Sequence, residues 1–223
     1  MNSMFEIYKN QADIYDELVG HEDFNHNLAK FIHEKTDMKN KTICEFGVGT
    51  GRLTKTYVDL VSNVYAFDNS EHMLRKAKQN LIKYSDKVKF EILDNREIQK
   101  LDKSYDYIVE GWSFGHLISE EVDYMYWIDK LVNDCKKIAA NILIIETMGT
   151  LVSDPKPPTE KLEKFYSELR RNGFIEKIIR TDYRFESVDQ AKYIMGAFFG
   201  KGMEEKIKEV VVKEYTGIWM WSR

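Results

Sequence analysis

The chain has 223 residues, room for one large domain or two small ones at roughly 150 residues each, and its 43% hydrophobic residues supply the core of a single fold. With 31% charged residues, 13% aromatic residues and only 3 prolines, the composition excludes a disordered or fibrous chain. A formal charge of -4, from 33 basic and 37 acidic residues, gives no footprint for nucleic acid or an anionic membrane and suits a small neutral or cationic substrate.

The N-terminus, Met1-Asn2-Ser3-Met4-Phe5-Glu6, lacks a basic region followed by an apolar stretch, and no 18-residue apolar run occurs. The expectation is a cytoplasmic protein, neither exported nor membrane-spanning. The first 36 residues read as two helices. Short β-rich runs then alternate with amphipathic segments, the pattern of an α/β fold with a parallel sheet. Predicted strands cover Thr42 to Phe46, Asn63 to Phe67, Val88 to Leu93, Tyr105 to Val109 and Asn141 to Glu146. Helical spacings lie between them: Leu53, Tyr57 and Leu60; Leu74, Ala77 and Leu81; and Val122, Met125, Ile128, Leu131 and Cys135. All three prolines fall in Asp154-Pro155-Lys156-Pro157-Pro158, a stiff loop before a helix from Thr159 to Arg171. Asn172-Gly173 closes that helix, and Phe174 to Phe185 follows as a strand. A helix from Val188 to Phe199 and a last strand from Glu209 to Trp221 bring the strands to seven. The stripe ending at Phe198 and Phe199 serves a core or an interface equally well, leaving the oligomeric state open. Cys44 and Cys135 are far apart, each in an apolar run, so buried thiols are expected. The five histidines form no ligand pattern, so no metal site is expected.

Chemistry concentrates where the first strand runs into Glu45-Phe46-Gly47-Val48-Gly49-Thr50-Gly51. Alternate glycines let the chain turn sharply and approach a ligand at the carboxyl end of a strand. A dinucleotide fingerprint fails in both registers, because it needs glycine where Arg52 or Thr54 stands. Glu45 would repel a pyrophosphate but suits a ligand carrying an ammonium and a sulfonium. Asp68 ends the second strand at the spacing for accepting ribose hydroxyls, Asp94-Asn95 ends the third and Glu110 the fourth. Each acid alone is equally an N-cap for the next helix. Together with the glycine turn they read as an electronegative crevice for a cationic nucleoside such as S-adenosylmethionine.

Here the sequence resembles the class I S-adenosylmethionine-dependent methyltransferases. The resemblance implies a three-layer, Rossmann-like fold with a seven-stranded, mostly parallel sheet whose last strand is antiparallel. It also implies one domain over residues 1–223, a helical cap of residues 1–36 covering the cofactor of a 37–223 core. Glu45, Gly47, Gly49, Thr50 and Gly51 look like the motif that holds the methionine part of the cofactor. Asp68 and the adjoining Asn69 fall at the ribose, Met73 at the adenine face, and Asp94 and Asn95 at the adenine edge. Glu110-Gly111-Trp112-Ser113-Phe114-Gly115-His116 matches the loop beside the reactive methyl, and Gly115-His116-Leu117 is similar to small-molecule N-methyltransferases. Ala12-Asp13-Ile14-Tyr15-Asp16 fits an N-terminal segment that places Tyr15 over the cofactor.

The implied activity is methyl transfer to a small molecule, at nitrogen before oxygen. The Glu110-Gly111-Trp112-Ser113 sequence also departs from the Asn-Pro-Pro-Tyr kind of tetrapeptide found in enzymes that methylate DNA bases. His116 is the candidate general base, its ordinary pKa of about 6.5 being well tuned, or it bonds backbone at the start of a helix. Tyr8, Tyr15, Phe24, Trp112, Phe114 and Tyr183 are candidate walls for the acceptor. Two alternatives stay open, a non-catalytic binder of the same cofactor and a nicotinamide-dependent oxidoreductase.

Overall fold

The structure, a computed structural model, describes residues 12–223. Among the described residues the first helices are α1 (Ala12–Gly20) and α2 (Asn27–Lys35), in the stretch where two helices were expected. Asp23 between them sits in the left-handed region, φ 55°, and its carboxylate accepts from the backbone N–H groups of Asn27 and Leu28 at 2.8 and 2.9 Å. Those are two of the donors a helix start leaves unpaired.

In chain order there follow β1 (Thr42–Phe46), β2 (Asn63–Asp68), α3 (Glu71–Asn80), β3 (Val88–Ile92), β4 (Tyr105–Gly111), α4 (Phe114–Glu120), α5 (Tyr124–Ile138), β5 (Ala139–Thr150) and α6 (Glu160–Arg171). The chain ends with β6 (Ile175–Arg180), β7 (Tyr183–Arg184), α7 (Val188–Phe199), α8 (Lys201–Glu204), β8 (Val211–Val212) and β9 (Glu214–Ser222). Seven strands form one sheet in the order β3-β2-β1-β4-β5-β9-β6. β9 runs antiparallel to both neighbours, and every other pair is parallel.

The two-residue period of a strand splits the core into two layers. Cys44, Phe46, Ile108, Ile142, Ile144 and Trp219 face α5 and α6, where Leu131, Cys135, Phe165 and Tyr166 meet them. The alternate residues Ile43, Val109, Leu143, Ile145 and Ile218 face α2 and α3 through Leu28, Ile32 and Leu74. The sheet is thus the middle of three layers, as the fold class expected. A smaller apolar cluster joins Leu18 of α1 to Ala191, Ile194, Met195 and Phe198 of α7. Both cysteines are buried and free.

Four local expectations are corrected. The segment Leu53 to Leu60 forms only a 3-10 turn at Thr54–Thr56 rather than a helix. It is rich in β-branched and aromatic residues, and the Thr54 and Tyr57 hydroxyls are committed to Glu45. The predicted strand Phe174 to Phe185 breaks at Thr181-Asp182, where the Thr181 and Thr216 hydroxyls pair at 2.6 Å and Asp182 accepts from the Glu214 N–H. The predicted strand Glu209 to Trp221 also divides, and β7 pairs with β8 in a separate two-stranded sheet. In the α5 stripe, Val122 lies before the helix and is exposed, as is Met125, while Ile128, Leu131 and Cys135 are buried.

Candidate functional site

From β1 the chain crosses to β2 on one flank, and from β4 to β5 on the other. This divergence opens a crevice at the carboxyl ends of β1 and β4, where open α/β sheets bind ligands. It holds a cavity of about 460 Å³, within the usual small-molecule range. Gly47 and Gly49 line it after β1, Asp68, Asn69 and Met73 after β2, and Asp94 and Asn95 after β3. Gly111, Trp112 and His116 line it after β4, and Tyr15 reaches it from α1.

The glycines are required by geometry. Gly47, Gly49 and Gly51 have φ of 65°, 54° and 84°, which side-chain-bearing residues rarely adopt. A Cβ on Gly47 would fall inside the Ser113 side chain, and one on Gly49 would lie 3.5 Å from the Tyr15 ring. Asp68 ties this turn down by accepting from the N–H groups of Gly49 and Ser70, each at 2.9 Å. Burial pushes the Asp68 carboxyl up, against the pull of those amides. With the Asn69 amide also acting on it, three backbone donors meet the four lone pairs of the two oxygens, which leaves one for a ligand hydroxyl. The bare backbone, the acid and the cavity size fit a nucleoside carrying an amino-acid tail. Among the described residues no group of His, Cys, Asp and Glu is arranged to hold a metal ion.

Four residues expected at the cofactor lie outside the cavity lining. Glu45 points into the layer beneath, where it accepts from the Thr54 hydroxyl at 2.7 Å and from the Tyr57 hydroxyl, and burial pushes it up to about 7. Thr50 is buried, with no partner for its hydroxyl oxygen among the described residues. Gly51 packs so close to Leu81 that a Cβ would stand 2.7 Å from it. Glu110 is buried and caps α4: its Oε1 accepts from the N–H groups of Ser113 and Phe114 at 2.7 and 2.8 Å. The crevice of four acids is therefore reduced to Asp68 and Asp94, joined by Glu71 and Glu120. Arg96 sits 3.1 Å from Asp94 and offsets its charge.

The loop after β4 holds a backbone departure of its own. Trp112 has φ 55°, a conformation that typically costs a non-glycine residue about 1–3 kcal/mol. Its N–H donates to the Ile145 carbonyl at 2.8 Å, and the Arg52 guanidinium lies 4.0 Å from its ring centroid. Next in the chain, α4 begins on two buried carboxyls, Glu110 as above and Glu146, which accepts from the Gly115 N–H at 2.6 Å. A Cβ on Gly115 would stand 2.6 Å from Glu146 Oε2, so this position admits only glycine without a shift. Burial raises both acids, Glu110 to about 7 and Glu146 well above its usual range, with Glu110 adding to the Glu146 rise. Half-buried His116 follows at the cavity wall, and burial lowers its imidazole to about 4.

Of the six aromatics expected at the mouth, Tyr15 and Trp112 line the cavity. Phe114 is core beside Phe46, Tyr183 stacks on Phe185 in the cap cluster, and Phe24 lies under Arg184. Tyr8 lies outside the described residues. Sequence reasoning missed Ser70, which caps α3 through the Met73 N–H, and named Ser113 only within the loop after β4, without its part in receiving the Asn95 side chain at 3.2 Å. It also passed over Glu146, which ends the predicted fifth strand as Asp68 and Glu110 end theirs, a signal already in use.

Residues 43–131 match a family model described as a methyltransferase domain. An uncharacterized methyltransferase of Geobacillus sp. strain WCH70 is 32% identical over 120 residues, which cover 52% of this chain and 55% of the relative. Another from Alkaliphilus oremlandii is 27% identical over 170 residues, covering 71% and 74%. This chain thus spans a little over half the length of the first relative. Magnesium protoporphyrin IX methyltransferase from Synechocystis PCC 6803, with bound S-adenosylmethionine, superposes with a TM-score of 0.58 at 15% identity, covering 97% of this chain and 94% of that one. Phosphoethanolamine N-methyltransferase 2 of Haemonchus contortus, also with S-adenosylmethionine, gives 0.57 at 14% identity, covering all of this chain and 61% of the other. Both share the fold.

Proposed function

We propose that this chain, whose residues 43–131 match a methyltransferase domain, is a class I S-adenosylmethionine-dependent methyltransferase that methylates a small molecule, at nitrogen in preference to oxygen. The observation that carries this is the cavity at the switch point, walled by Gly47, Gly49 and Asp68 on one side and by Trp112 and His116 on the other. S-adenosylmethionine is the cofactor, and when bound it supplies an electrophilic methyl group. In this reading Gly47, Gly49 and Tyr15 hold its amino-acid end, Asp68 and Asn69 its ribose, and Met73, Asp94 and Asn95 its base. Residues 1–36 act as a cap on a 37–223 core.

Transfer is an in-line displacement, so alignment of the acceptor does most of the work. Trp112 and Tyr15 form flat walls that fix the approach. His116, held near 4 by burial, is neutral at pH 7 and too weakly basic to strip a proton from an alcohol during attack. Its ring nitrogen is suited to orient an amine, which attacks through its own lone pair once deprotonated. That contrast favours nitrogen.

Calorimetric titration with S-adenosylmethionine, S-adenosylhomocysteine and NADH, beside Asp68→Ala, tests the reading. The first two should bind and NADH should not. Asp68→Ala should weaken binding by about tenfold or more, since amide bonds to a carboxylate are worth about 1.5–3 kcal/mol each. Binding of NADH alone would overturn the proposal. His116→Ala should reduce release of S-adenosylhomocysteine in the presence of an accepted amine, and unchanged turnover would remove its orienting role.

A further inference from the structure

The loops after β3 and β4 meet across the crevice through their side chains: Asn95 donates an amide N–H to the Ser113 hydroxyl oxygen at 3.2 Å, and both residues line the cavity. The direction of that bond follows from counting protons. Ser113 has a single hydroxyl hydrogen. Its oxygen lies 3.0 Å from Glu110 Oε1 and 3.5 Å from the Phe46 carbonyl oxygen. A carbonyl has no proton to give. Glu110 Oε1 already accepts the Ser113 and Phe114 N–H groups, so a proton on that carboxyl sits on Oε2. Whichever of the two oxygens takes the Ser113 hydrogen, the hydroxyl has only lone pairs left for Asn95. The amide therefore turns its Nδ2 to Ser113, and its Oδ1 has no hydrogen-bond partner among the described residues.

The neighbouring acid is committed elsewhere. Asp94 Oδ1 accepts from the Arg96 backbone N–H at 2.8 Å, and the Arg96 guanidinium lies 3.2 and 3.1 Å from its two oxygens. Asn95 Oδ1 is thus the open acceptor of this pair. An asparagine amide pairs with adenine through two bonds, Oδ1 taking an exocyclic N–H and Nδ2 giving to a ring nitrogen. Nδ2 carries two hydrogens, so one serves Ser113 and the other remains for the ring. Hypoxanthine, the deaminated base, has an oxygen in place of that amine. An amide free to turn over would present its Nδ2 to such an oxygen.

We infer, resting on the methyl-transfer reading and its placement of the cofactor's base at Asn95, that Ser113 is a positioning residue: it locks the Asn95 amide with Oδ1 left for the base, so that the site accepts a 6-amino purine and rejects a 6-oxo purine. Turned over, Oδ1 would face a hydroxyl whose hydrogen is already spent. A 6-oxo base therefore meets the amide oxygen against oxygen. Ser113 acts through Asn95, which makes the contact with the base. Rejection by a built-in repulsion goes further than the loss of one bond. It ranks hypoxanthine below a purine that carries only hydrogen at C6, whereas an amide free to turn would rank it above.

The test is calorimetry with S-adenosylhomocysteine, S-inosylhomocysteine and the analogue whose purine carries hydrogen at C6. Wild type should bind the adenosyl compound about tenfold or more tightly than the inosyl compound, with the C6-hydrogen analogue between them. This order decides without any variant: an inosyl compound bound as tightly as the C6-hydrogen analogue, or more tightly, means that the amide turns freely and overturns the inference. Ser113→Ala leaves Glu110 Oε1 its two backbone partners and releases the amide. The inosyl compound should then rise above the C6-hydrogen analogue, and the preference for adenosyl should narrow to less than about threefold. A folded variant that keeps the wild-type order overturns the inference as well. Asn95→Ala should bring all three ligands within about threefold of one another, and a tenfold preference surviving there would place the reading of the base elsewhere and sink the proposal. Failure of S-adenosylhomocysteine to bind the wild type would bring down the methyl-transfer reading too, whereas bound S-adenosylhomocysteine with the other order sinks only this inference.

Discussion

The two flanks of the β1–β4 crevice are built from different materials. On the β1–β2–β3 flank the walls are backbone: glycines with left-handed φ, and amides drawn tight by Asp68. On the β4–β5–β9 flank the framework is buried carboxyl groups, with Glu110 and Glu146 under α4 and Glu214 at the start of β9. Backbone recognition needs little beyond space and a few polar atoms, which suits a cofactor shared by many enzymes. A framework of buried acids sets charge and shape closely, which suits one acceptor. Under the proposed methyl transfer, the difference assigns cofactor binding to the first flank and acceptor choice to the second.

The largest effect should come from breaking the first flank. Gly47→Val puts a branched side chain into Ser113 at φ 65°, and strain with overpacking should cost about 3–5 kcal/mol and abolish binding of S-adenosylhomocysteine, as read by thermal melting and calorimetry. On the second flank, Gly115→Ala drives a methyl against the Glu146 carboxyl. It should cost about 1–3 kcal/mol and lower kcat more than cofactor affinity, because the shift displaces α4 and His116.

A pH series sharpens the comparison at smaller amplitude. Glu45 and Glu110 near 7 and Glu214 near 8 lie above the ordinary 4.5, so the folded chain binds more protons than the unfolded one. Their contribution to stability is full below about 4.5 and is lost as pH rises toward 8. The melting temperature should therefore fall over that window, and Glu45→Gln, which keeps its two hydroxyl partners, should flatten the part below about 7. The smallest effect belongs to Arg96→Ala. Its pairs with Asp94 and Glu121 are about one-third exposed, so affinity for S-adenosylhomocysteine should change less than about threefold.

The first flank was legible because backbone demands leave residue-level marks. Glycines at alternate positions, an acid at each strand end and a two-residue apolar period are readable in a single chain, and the sheet follows from them. Which way an acid points was not legible. Glu45 and Asp68 both stand at strand ends, yet strand alternation turns Glu45 down into the Thr54 and Tyr57 hydroxyls while Asp68 reaches back to Gly49. The second flank escaped for a related reason: Glu22, Arg52 and Glu214 are far apart in sequence and meet only when α1 and β9 are both in place. The absent helix after the glycine turn shows tertiary bonds overruling an apolar periodicity.

The Asp68 strap has one further consequence. Its bonds to Gly49 and Ser70 involve no ligand atom, so the glycine turn has already given up its backbone freedom in the fold itself. Ordering a loop on binding would otherwise subtract about 1–2 kcal/mol of conformational entropy for each residue fixed. Association at this flank is freed from that subtraction, and its entropy change is left to the release of water set against the ligand's own lost freedom of motion.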